Sequence, residues 1–147
     1  MLSTEYMFAI GLRGGLAIIF GLLFGIAGLV ITFWVIPGLY TPPMWLLVFP
    51  IGVSSSFAVF LAYFKPETPW RILAIGLLIA VAGGLIGGWF GFFYAKIAYP
   101  DGVRNVLLVS RSVRSPAIMP FITFATIFST ILGGLYYGFR AWRYHEV

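Results

Sequence analysis

The side chains of this sequence best placed for chemistry are two groups of hydroxyls. Ser54, Ser55 and Ser56 form one run; Thr126, Ser129 and Thr130 form the other, with Thr123 one turn before them. A serine or threonine becomes a nucleophile only beside a base that takes its proton. No Asp, Glu, Lys, Arg or His lies inside the apolar stretches that carry these hydroxyls. The carboxylates Glu5, Glu67, Asp101 and Glu146 are scattered without paired spacing, and the single histidine, His145, is third from the end. Bis-histidine haem ligation and a His/carboxylate metal centre therefore have no ligands to use. With no cysteine, thiolate catalysis and cysteine metal sites are excluded as well. The run GGLIGGWFG (83–91) is glycine-rich, but it lies inside an apolar stretch with no lysine following, unlike a phosphate-cradling loop. The expectation is a protein that is not an enzyme and holds no cofactor or metal.

Two roles remain for the hydroxyls. In the structural one, each bonds back to a carbonyl one turn earlier or across one helix interface. In the functional one, they line a polar seam, opened by a kink at Pro50, that passes a small neutral solute or contacts a quinone head.

The elements that must position these residues follow from composition. Of 147 residues, 61% are hydrophobic and 9% charged, against roughly a quarter charged in soluble domains. Mean hydropathy is +1.03. Lipid is the solvent that suits such a chain. Four charge-free runs of bilayer length fall at about 14–36, 44–64, 72–95 and 117–139. The expected fold is thus an all-α integral membrane protein, one domain over 1–147, with four transmembrane helices in a glycine-rich bundle. The first run is too long for a signal h-region, and Glu5 precedes it, so it reads as a retained span. Pro37, Pro42 and Pro43 break the chain after the first run. Pro50 is expected to kink the second, and Pro120 to sit harmlessly in the first turn of the fourth. Trp34, Trp45, Trp70, Trp142 and Tyr144 suit the aromatic belts. Phe90, Phe92, Phe93 and Tyr94 are expected to face lipid or a partner.

Glycines mark the faces on which these helices meet something. The first span carries Gly21, Gly25 and Gly28. The third carries two adjacent stripes, Gly83-Gly87-Gly91 and Ala80-Gly84-Gly88, and the fourth carries Gly134 and Gly138. Apolar helices gain no hydrophobic free energy by meeting in lipid; small residues let their backbones approach and gain dispersion contacts. The broad face of the third span could receive the first span, the hydroxyl-rich fourth, another chain or a flat lipid-like cofactor. Gly21–Trp34 also resembles Gly76–Trp89 in glycine-to-tryptophan spacing, as a duplicated two-helix hairpin would.

The nine basic residues flank the spans, which fits anchoring at anionic headgroups and gives no nucleic-acid footprint. The segment 103–115 reads as a short interfacial helix with Arg104, Arg111 and Arg114 at headgroup or partner depth. Both termini fall on one side, and a slight excess of basic residues there favours the cytoplasm. In architecture alone, without a matching motif, four spans with glycine stripes in the first and third resemble the Tim17-type membrane proteins and small accessory subunits of respiratory assemblies. The function expected is that of a non-catalytic accessory or structural subunit of a larger integral-membrane complex, of a respiratory or other energy-transducing kind. Its partners would be other membrane subunits and lipids, including anionic ones. The alternative is a small oligomeric channel or carrier using the Ser/Thr seam.

Overall fold

The computed structural model of the chain describes residues 4–35, 44–64, 68–98 and 118–143. Four α-helices make up nearly all of these: α1 Thr4–Val35, α2 Val48–Tyr63, α3 Trp70–Ala98 and α4 Ile118–Arg143. A 3-10 turn, Met44–Leu47, leads into α2. No strand occurs among the described residues. The four helices, α2 taken with its leading turn, are long and apolar enough to cross a membrane, the pattern of a multi-pass membrane protein.

α1 begins at Thr4, well before the span expected from residue 14. Its 32 residues reach about 48 Å at ~1.5 Å per residue, beyond a hydrocarbon core of roughly 30 Å. Glu5 lies in its first turn, where the helix dipole favours an anion.

Pro50 does not kink the middle of a helix. The α-helix starts only at Val48, so Pro50 lies in its first turn, where amides have no intrahelical partner and a missing one costs little. The residues before it take the tighter 3-10 form. Pro120 occupies the matching position in α4, as expected. α2 ends at Phe64, which is extended and whose amide donates to the Phe60 carbonyl at 2.8 Å.

α2 and α4 form the centre of the molecule. Each packs against the other and against both α1 and α3, whereas α1 and α3 scarcely meet. Two apolar clusters fill the interior. One joins Leu29, Val48, Ile51, Phe92 and Phe121; the other joins Ala17, Val59, Phe60, Tyr63, Ile72 and Tyr137. Along α2 and α4 the buried hydroxyls fall between them. Phe90, Phe93 and Tyr94 face outward, but Phe92 is buried in the first cluster, because it lies one residue past Gly91 on the side that α3 turns inward. The interfacial segment 103–115 with Arg104, Arg111 and Arg114, the turn 37–43, and Glu67, Asp101, His145 and Glu146 lie outside the described residues.

Candidate functional site

The glycines and the hydroxyls, two separate features in the sequence, meet each other. α1 runs antiparallel to α4, and its glycines step past α4 hydroxyls. A methyl group at Gly21 would lie 2.6 Å from the Thr130 Cγ2 atom, and one at Gly25 would lie 3.1 Å from that of Thr126 and 3.4 Å from the Ser55 Cβ atom. At Gly28 a Cβ would run into the Ser54 hydroxyl. On α3, Gly84 faces the Ser129 hydroxyl, 2.6 Å from where its Cβ would be. Each glycine supplies the space that a hydroxyl-bearing side chain occupies.

The hydroxyls in turn join helix to helix. Ser55 and Thr130 share a 2.9 Å hydrogen bond between α2 and α4, both fully buried. Ser129 donates to the Ala80 carbonyl of α3 at 2.7 Å. Thr126 bonds back to Ile122 at 2.7 Å, and Thr123 to Met119 at 2.8 Å. Tyr137 completes the set. Its hydroxyl donates to the Leu73 carbonyl at 3.2 Å and lies 2.7 Å from the Ser56 hydroxyl. Since the phenol has one proton, Ser56 is the donor in that second bond. The Tyr137 ring fills the slot left by Gly76 and packs edge-on against Phe60 and Phe64. At ~100° of rotation per residue, three successive serines cannot share one face. Ser55 and Ser56 point to α4, while Ser54 faces α1.

The broad face of α3 receives α4. A Cβ at Gly83 would lie 2.9 Å from the Phe128 carbonyl oxygen, and Cβ atoms at Gly87 and Gly91 would strike the carbonyls of Phe124 and Pro120. Each step of four along α3 is matched by a step of four back along α4. Gly88 lies against the Phe121 ring, and Ala80 is 3.6 Å from a Cβ built at Gly133. Gly134 meets nothing within 4 Å among the described residues, and Gly138 makes only ordinary contact with Tyr63. The buried face of α4 runs through Gly133, which the GxxxG pattern at 134 and 138 passes over. Gly52, buried against Val81 of α3, and Tyr137 also escape a reading by spacing. Gly52 stands alone in its helix, and Tyr137 looks like an interfacial aromatic at a span end.

Between α1 and α2 an outward-facing groove of about 620 Å³ runs from Arg13 past Phe20 and Phe57 to Gly28, Ser54 and Ile31. Arg13 crosses its end and donates from Nε to the Ala62 carbonyl at 2.9 Å. No group of acidic, histidine or cysteine side chains able to hold a metal occurs among the described residues.

The fold and these contacts define an all-helical protein with four helices able to span a membrane, joined by interlocking glycine and hydroxyl contacts. No protein-family model, curated protein or solved structure matches the chain.

The strength of one cross-helix contact can be measured directly. A double-mutant cycle of Ser55→Ala and Thr130→Val is expected to give a coupling of about 0.6 kcal/mol, and no more than ~1.7. Unfolding by SDS in bicelles reads it out, and a coupling indistinguishable from zero would mean the two hydroxyls are not bonded.

Proposed function

We propose that the chain is a non-catalytic accessory or structural subunit of a larger integral-membrane complex, of a respiratory or other energy-transducing kind. In this reading its glycine-rich bundle is a rigid body, and its outer faces dock other membrane subunits. The observation that carries it is the outer side of α1. This helix is held by one side against α2 and α4, while Met7, Phe8, Leu12, Ile19, Leu23 and Val30 project outward. Gly11 and Gly15 stand beside them with nothing within 4 Å among the described residues. The buried hydroxyls meanwhile serve the bundle itself, so interaction with other molecules falls to the outside. The segment 103–115 would lie in the interface as a short helix, with Arg104, Arg111 and Arg114 on anionic headgroups or a partner. The termini would face the cytoplasm.

The test is purification from native membranes in mild detergent, with a photo-crosslinking residue at Leu23. The expected result is co-migration with other membrane chains on a native gel and a cross-link to one of them. A chain that migrates alone and cross-links to nothing overturns the reading.

A further inference from the structure

We infer that the groove between α1 and α2 seats one acyl chain of an anionic phospholipid, whose phosphate pairs with Arg13. This site is independent of any docking of α1 to other subunits. The walls are apolar and open to the outside: Leu16, Phe20 and Phe24 recur every four residues along α1, and Phe57 and Leu61 do the same on α2. Ala58, between them, is small and leaves the floor low. The volume of about 620 Å³ lies within the roughly 300–1,000 Å³ of ligand sites.

Depth and charge select the occupant. Counting back from the far end of α1, about 20 residues at ~1.5 Å each fill a hydrocarbon core of roughly 30 Å. That places Arg13 at the boundary, where lipid phosphates lie. One leaflet, about half that thickness, corresponds to roughly ten residues of helix, so a chain entering beside Arg13 ends near Phe24. The Nε–H bond to Ala62 ties the guanidinium to the groove end, and the planar, always charged fork of an arginine suits phosphate oxygens. Arg71 at the start of α3 and Arg140 and Arg143 at the end of α4 lie toward the same boundary; Lys96 lies toward the other. Of the basic residues at this boundary, Arg13 lines the groove, and its charge favours a lipid of net negative charge over a zwitterionic one with the same tails.

Native mass spectrometry of the full chain in mild detergent tests this, with phosphatidylglycerol and phosphatidylcholine of identical acyl chains offered in equal amounts. The expected result is about a five-fold preference for phosphatidylglycerol, the contribution of roughly one basic side chain at a membrane surface. Arg13→Gln should reduce the preference to near unity, and Arg13→Lys, which keeps the charge, should retain it. Ala58→Trp, which fills the groove, should lower retention of both lipids. Size-exclusion profiles and thermal unfolding establish that each variant is folded. Equal retention of the two lipids by the unaltered chain overturns the inference. So does an unchanged preference in a folded Arg13→Gln protein, or undiminished lipid retention in folded Ala58→Trp.

Discussion

Gly87→Leu is expected to yield no folded monomer from membranes, as judged by size-exclusion chromatography and thermal unfolding in detergent. The first added carbon is already too much. A Cβ at position 87 strikes the Phe124 carbonyl and lies 2.7 Å from the Phe128 Cβ atom. The obstacle is backbone, which cannot swing aside as the end of a side chain can. A local bulge gives no relief, because Gly83 and Gly91 sit against the carbonyls of Phe128 and Pro120 in the same register. The two helices must separate along their length. Overpacking in a well-filled core costs about 1–3 kcal/mol and occasionally more. Here lipid offers no hydrophobic force to hold the separated helices together, so the loss falls at or beyond the top of that range. Gly134→Leu is the control: with open space at that position, it should leave the unfolding temperature within a few degrees. A folded Gly87→Leu monomer of normal stability would show that α3 is not seated on α4 in this way.

The second large effect is at Tyr137. Tyr137→Ala removes the largest fully buried side chain, and a buried aromatic truncated to alanine costs about 3–5 kcal/mol. Tyr137→Phe removes two hydrogen bonds, to Leu73 and from Ser56, and should cost only about 1.2 kcal/mol at ~0.6 kcal/mol for each bond between membrane helices. The contrast separates cavity from hydroxyl. Gly76 supplies a further check, since a Cβ there would overlap the Tyr137 ring. Gly76→Val alone should be strongly destabilising. Combined with Tyr137→Ala, it should regain part of the loss, because the new methyl groups enter the space the ring has left. Residues in direct contact couple by about 0.5–3 kcal/mol. Steric-trap or SDS unfolding of the four variants measures this, and strictly additive losses would show that the slot and the ring do not face each other.

Much of the architecture could be read from residue types. Charge-free runs bounded by Arg13, Lys65, Arg71, Lys96, Arg114 and Arg140 have few solutions other than four apolar helices. Where each α-helix starts was less legible. Thr4–Leu12 tolerates either an extended head or more helix, and in the structure it is helix although none of its side chains is buried. Pro50 misled because a proline looks like a kink unless the helix begins beside it, and a 3-10 turn leaves no clear mark in the sequence.

The candidate site was half visible. Spacing identified Gly83, Gly84, Gly87, Gly88 and Gly91 as a contact face and offered the fourth span as one of its receivers. Spacing could not show that Gly21 and Gly25 belong with Thr130 and Thr126, because pairing between distant helices depends on rotation about each axis and not on pattern along either. Nothing along the sequence marked Tyr137 as a buried residue. Its place is set by the absence of a side chain at Gly76, on a different helix.

The pairing of Gly21 and Gly25 with Thr130 and Thr126 has a consequence for the order in which the molecule is made. α1 leaves the ribosome first, and α4 last. At about 5–20 residues per second, α1 waits for several seconds, at least, before the threonines that its glycines meet have been synthesised. During that time its notches can be matched on the α2 side, by Ser55 and Val59, but the side that α4 will cover is bare. The glycine notches of α1, made early, are thus filled on their second side only when α4 follows, and so is the glycine face of α3: the closing of the bundle waits on its late helix.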